Sequence, residues 1–264
     1  MSGKTPEFDS PPVIETFLGV EFDPLSAWDI PYFGLFWQQI REDYQQCTVQ
    51  PPLASRLESF DDQFRSVSEI TILMKPEVRC WYANDAGSWL MQVQNNHLLH
   101  NWRKGTGQYP RYEAVRDRFL SALDKFTEFV ASEQLGELSV RQCEVTYINH
   151  IELDKDRNKD AIARLFPCWA GNSESRFLSD PEAVVLKTSY RLPDDKGRLH
   201  ISMQPAIRHA DLKRIIQLEL SARVSISSDR NEIIEGLDLG HEWVVNGFAD
   251  FTSSEMHDLW KRKQ

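Results

Sequence analysis

The 264-residue sequence has no CxxC pair, no GxGxxG or GxxxxGK[ST] loop, no HExxH and no GxSxG. The usual signatures of phosphate cradling, catalytic zinc and acyl transfer are therefore missing, which weakens an enzyme reading and leaves no catalytic residue, metal or cofactor to assign. The four cysteines, Cys47, Cys80, Cys143 and Cys168, lie far apart. That spacing suits reduced thiols in a cytoplasm better than a zinc site or disulfide framework, and they read as small, mostly buried side chains. No run approaches the roughly 18 apolar residues of a membrane span, and residues 1–10, MSGKTPEFDS, carry no apolar signal core. A soluble, cytoplasmic protein with no membrane partner is expected. Positive charge is short too: 30 Lys and Arg against 40 Asp and Glu give a net charge of −10, which disfavours diffuse attraction to phosphate backbones or anionic lipid. A Pro-, Gly- or Ser-rich linker is also absent. The parts of the chain should share one sheet or pack closely.

What is present is an order of elements that repeats. Residues 140–153, VRQCEVTYINHIEL, alternate as a long central strand, with Cys143, Val145, Tyr147, Asn149 and Ile151 in one row and Glu144, Thr146, Ile148, His150 and Glu152 in the other. Residues 13–22 have the same look: Ile14, Thr16, Leu18, Val20 and Phe22 lie opposite Val13, Glu15, Phe17, Gly19 and Glu21. The first strand leads to a helix at 30–44 with an aromatic face of Tyr32, Phe33, Phe36, Trp37 and Tyr44, ended by Pro51-Pro52. Strands follow at 64–74, 78–82 and 88–102, the last two a hairpin about Asn84-Asp85-Ala86-Gly87, and then a helix at 112–133 stopped by Gly136. After the central strand come a short helix at 159–166, a loop through CWAGNSES, strands at 183–192, 198–208 and 214–226, and a helix at 232–251. Ser253 or Thr252 with Glu255 caps a last turn through Trp260. The expected fold is α+β: two βαβββα-like halves, 1–137 and 138–264, forming a broad, mainly antiparallel sheet with the helices packed on one face.

Several groups invite a functional reading. His97 and His100 sit three apart in a strand, on opposite faces, so they read as surface or edge histidines and not as a metal pair. Gln92, Gln94 and Asn96 make an amide-rich sheet face that is expected to be solvated. His241 falls on a helix stripe with Leu237, Val244 and Phe248, so its ring should be partly buried and needs a hydrogen-bond partner. A ligand pocket in that region would draw on His241, Trp243, Glu15 and Trp169. Asp238, Glu242 and Asp250 could join Glu15 and His241 in acid–base chemistry, but helix-surface charge is the simpler role for most of them. Residues 100–118 interleave Trp102, Tyr109 and Tyr112 with Arg103, Lys104 and Arg111, the pattern that holds single-stranded nucleic acid by stacking and phosphate neutralisation.

The stretches PPVIETFLGVEF, VTYINHIEL and LDLGHEWVVNGFADFTSSEMHDLW resemble a sporadically distributed family of bacterial proteins of unknown function. Pro12, Glu15, Phe22, Tyr147, Asn149, Ile151, Asp238, His241, Phe248 and Trp260 carry the likeness. The resemblance supplies no catalytic residue, and a patchy distribution implies a part in a defence, toxin–antitoxin or similar accessory system. The expected function is a non-enzymatic interaction or regulatory protein that meets a protein partner through its exposed sheet or aromatic elements, with no reaction centre. The alternatives are a small-ligand-binding protein or enzyme with its pocket near His241, and single-stranded nucleic-acid binding through residues 102–112.

Overall fold

A computed structural model describes residues 5–60, 78–105, 107–152, 162, 165–167 and 183–263. In chain order it contains β1 (Glu7–Phe8), β2 (Val13–Phe22), α1 (Ile30–Ile40), β3 (Gln46–Gln50), β4 (Arg79–Ala83), β5 (Trp89–Gln94), β6 (His97–Arg103) and α2 (Tyr112–Ser132). Then follow β7 (Val140–Glu152), β8 (Leu186–Arg191), β9 (Gly197–Arg208), β10 (Lys213–Ser225), α3 (Arg230–Phe251), α4 (Ser254–Leu259) and β11 (Arg262–Lys263). The fold is α+β. Nine strands form one antiparallel sheet in the order β3-β4-β5-β6-β2-β7-β10-β9-β8, and β1 pairs with β11 in a separate ribbon. The two strands singled out by alternation, β2 and β7, lie side by side at its centre, with Thr16 opposite Tyr147 and Leu18 opposite Val145.

The periodicities explain the layers. Leu18, Val20 and Phe22 of β2, Cys143, Val145 and Ile151 of β7, and Ile216, Leu218, Leu220, Ala222 and Val224 of β10 are all buried in one core. Helices α2 and α3 cover that face, α2 over β2 and β6, α3 over β7, β10 and β9. Phe36 of α1 reaches Tyr82 of β4 and Phe126 and Phe129 of α2, so the aromatic stripe of α1 closes the same core. Helix α3 starts at Asp229, whose side chain accepts from the N–H groups of Asn231 and Glu232, and α4 starts at Ser253. Gly236 and Gly240 let α3 lie close on the sheet: a Cβ at Gly236 would stand 2.8 Å from Ile226 and 2.9 Å from Cys143.

Several expectations need correction. The run 88–102 is two strands, because Asn95-Asn96 turn back and pair Gln94 with His97, while their carbonyls accept from Leu25 and Phe22. Between α1 and Pro51-Pro52, where the sequence assigned no strand, Gln46–Gln50 adds an edge strand to β4. A bulge between Val13 and Glu15 rotates Val13 onto the helix-covered face, opposite Asn149, where it is buried. The amide-rich face of Gln92, Gln94 and Asn96 is not solvated as expected, since Gln92 and Gln94 are buried and Asn96 is half-buried. His97 and His100 are buried as well, because β6 is an interior strand. Cys47 is exposed on the edge strand, while Cys80 and Cys143 are buried. The expected strand at 64–74, most of the helix at 159–166, and the 168–175 segment with Cys168 and Trp169 lie outside the described residues; Ile162 and Leu165 are helical.

Candidate ligand-binding site

Helices α2 and α3 leave a cavity of about 670 Å³ above the sheet, closed on its third side by residues 5–8 and Lys263 of the β1–β11 ribbon. Val13, Tyr147, Asn149 and Leu220 form its floor. Tyr109 and the first turns of α2 supply one wall, and Asp238, His241, Val244 and Phe248 of α3 the other. This volume lies within the ~300–1,000 Å³ typical of small-ligand sites, and its lining has the expected mixture of apolar surface with a few convergent polar groups.

The polar groups are joined in two chains that meet at His241. Tyr109 Oη and Tyr147 Oη are 2.6 Å apart, and Tyr147 Oη is 3.1 Å from His241 Nδ1. The Tyr112 ring stacks flat on the imidazole, centroids 3.8 Å apart and planes 2° from parallel. The Tyr112 hydroxyl donates to Asp238 Oδ1 at 2.7 Å, and Arg116 Nη1 donates to both Asp238 oxygens at 2.8 and 3.0 Å. Orientation of the imidazole is therefore fixed at Nδ1 and across one ring face. Its Nε2 makes no hydrogen bond among the described residues. Burial pushes the His241 pKa down to about 4, so the ring is neutral at pH 7, and burial raises Tyr109 to about 12 and Tyr147 well above 10. The hydroxyls stay protonated, and the relay is an uncharged chain of donors and acceptors ending in the cavity.

Arg111, at the start of α2, adds an unusual backbone. Its φ of 72° and ψ of 161° fall in a region natural to glycine, and a non-glycine residue there costs about 1–3 kcal/mol. The conformation is held because Arg111 Nη1 donates to the Phe8 carbonyl at 3.0 Å, which ties α2 to β1 across the mouth.

No family model, curated protein or solved structure matches the chain.

Of the three described residues among the four expected around a pocket, only His241 lines it. Trp243 packs against the core instead, because it is two positions from His241 on a helix and turns away from the cavity. Glu15 is on the opposite face of the sheet, where its Oε1 accepts from Asn101 at 2.6 Å and Arg103 at 3.1 Å. Trp169 lies outside the described residues. Of the acid–base group, Asp238 and Glu242 join His241 in the lining and Asp250 does not.

The basic and aromatic segment does not form a stacking platform. Trp102 and Tyr112 are buried, Tyr109 is spent on Tyr147, and Arg103 pairs with Glu15, leaving Lys104 and Arg111 exposed. Tyr109, Arg111 and Tyr112 instead line the cavity. Tyr147, Asn149 and Arg116 were missed as site residues. Tyr147 and Asn149 did carry a signal, being polar members of an otherwise apolar inward row, where buried polar atoms need partners.

Proposed function

We propose that the protein binds a small molecule in the cavity around His241. The observation that carries this reading is the convergence of Tyr109, Tyr147, Tyr112, Asp238 and Arg116 on one neutral imidazole, beside a floor of Val13, Asn149 and Leu220. Pre-oriented polar groups in an apolar cleft are how ligand orientation is usually fixed. Aromatic walls from Tyr109, Tyr147, Phe8 and Phe248 favour a ligand with a flat or apolar body, and His241 Nε2 supplies one hydrogen bond to its polar end. Tyr147, Asn149, Asp238, His241 and Phe248 are also among the residues on which the family resemblance rests, and all five line the cavity. The cavity weighs against a protein that offers only a recognition surface. A regulatory role in an accessory bacterial system is compatible with it, the ligand then being the signal.

The test is thermal unfolding in the presence of a metabolite and nucleotide library. A ligand at 100 times its dissociation constant stabilises by about 2.7 kcal/mol, which for a chain of this size raises Tm by roughly 5–10 °C. Stabilisation that disappears in His241→Phe supports the reading. A flat response across the library, or equal stabilisation of that variant, removes it.

A further inference from the structure

The opposite face of the sheet carries a second device. Residues 51–60 leave β3 through Pro51-Pro52 and cross this face over successive strands, meeting Gln94 of β5, Glu21 of β2, Gln142 of β7, Arg223 of β10 and Arg198 of β9 in turn. From β5 to β9 the sheet order has five intervals, about 24 Å at the usual strand spacing. The seven residue-to-residue steps from Leu53 to Phe60, in extended chain, span about the same distance. The segment is therefore an extended strap laid across the strands.

Its contacts are of an unusual kind. Gln94 Oε1 accepts from the Leu53 N–H at 2.8 Å while its Nε2 donates to the Leu53 carbonyl at 3.1 Å. Gln142 repeats this, accepting from the Glu58 N–H at 2.9 Å and donating to the Arg56 carbonyl at 3.3 Å. Between them Glu21 accepts from the Ser55 hydroxyl and from the Arg56 N–H at 3.3 Å, while itself pairing with His97 at 3.3 Å. Glu21, Gln94 and Gln142 are buried. Gln94 and Gln142 read only the main chain of the strap, and Glu21 reads it at Arg56 as well as the Ser55 hydroxyl, as residues that receive a peptide do. Sequence is read at two further points. The Glu58 carboxylate, 7% exposed, meets Arg198 at 2.5 Å, His200 at 2.6 Å and Arg223 at 3.4 Å, and the Phe60 ring lies under Arg198 and Arg191 at 4.3 and 5.4 Å. No strap side chain enters the hydrophobic core, and Leu57 is 49% exposed. The strap is thus held by contacts that another chain of the same pattern can replace.

We propose that this transverse row is a peptide-binding track, that it takes an extended segment with a glutamate followed two positions later by an aromatic residue, and that residues 53–60 are its resident occupant. The partner is a protein that displaces the strap. Because a tethered strap competes at an effective concentration on the order of millimolar, the intact protein binds such a peptide weakly. Weakening the strap exposes the track. This surface is on the far side of the sheet from the His241 cavity, so the proposal stands or falls separately from the ligand reading.

Fluorescence anisotropy with a labelled synthetic PPLASRLESF peptide tests it on the full chain. Glu58→Lys, which sets a cation against Arg198 and Arg223, should bind the peptide at least tenfold more tightly than the wild type. Adding Gln142→Ala, or replacing the peptide's own glutamate by lysine, should abolish the gain. A folded Glu58→Lys protein with no gain overturns the proposal, as does a gain that survives both changes. If that variant does not fold, hydrogen exchange of the wild type decides. The Leu53, Arg56 and Glu58 amides should exchange through local opening, well before those of β7, and exchange only with global unfolding overturns the proposal.

Discussion

Replacing Tyr147 by phenylalanine tests whether the cavity is organised as described. The hydroxyl bridges Tyr109 Oη at 2.6 Å and His241 Nδ1 at 3.1 Å, and the residue is 8% exposed. Its removal deletes two hydrogen bonds, each worth about 0.5–1.5 kcal/mol net, and strands one polar atom at either end at about 1–3 kcal/mol each where water cannot replace it. Because both neighbours border the cavity, water recovers part of this, and the expected loss is about 2–3 kcal/mol. Tyr109→Phe removes only the outer link and leaves Tyr147 serving His241, so it should cost about 1 kcal/mol. The double variant should fall short of the sum by about 1 kcal/mol, since both single changes break the same Tyr109–Tyr147 bond. Chemical denaturation gives these values directly, and in thermal unfolding Tyr147→Phe should lower Tm by roughly 5–10 °C. Equal losses for the two single variants, or strict additivity, would mean that Tyr147 does not bridge the pair.

Three further outcomes follow from the geometry. His241 is held at a pKa of about 4 against 6.5 when unfolded, and His100 at about 3, both by burial. The unfolded chain therefore takes up these protons first: stability is full above pH 6.5 and falls as pH drops toward 3–4, by at most about 3 kcal/mol for His241, and His241→Gln should flatten that slope in denaturant titrations. Arg111→Gly releases the strained backbone at φ 72°, so it should leave Tm unchanged or raised while lowering ligand affinity through loss of the tie to Phe8; a large fall in Tm would show that the conformation carries no strain. Single-stranded oligonucleotides should show no steep salt-dependent binding and no response to alanine at Arg103, Lys104 and Arg111, because the neighbouring rings are buried; filter binding across a salt series would reveal the contrary.

The central pair of strands was legible because β2 and β7 alternate cleanly, and so were the helices, whose apolar residues recur at helical spacing along Val115, Phe119 and Phe126 or Leu237, Val244 and Phe248. What one strand's pattern does not contain is its partner. The Asn95-Asn96 reversal sits inside an unbroken β-like run, the Val13 bulge shifts one residue between faces, and the burial of Gln92, Gln94 and Asn101 depends on neighbouring strands and a strap remote in sequence. The site shows the same division. His241 was recognisable from its stripe, but its partners arrive from β7, from the loop before α2 and from α2 itself, 94, 132 and 129 residues away by the numbering of Tyr147, Tyr109 and Tyr112. Aromatics beside basic residues in 100–118 suggested nucleic acid because sequence alone does not reveal which face of a ring is already covered.

The most direct measurement is long-range ¹H–¹⁵N spectroscopy of the His241 imidazole while a stabilising ligand is titrated. The ring should remain neutral from pH 8 to pH 5, with Nδ1 unaffected by saturation and Nε2 shifting in step with binding. An imidazole already protonated at pH 6, or an Nε2 resonance indifferent to a saturating ligand, would contradict a cavity built to present that atom.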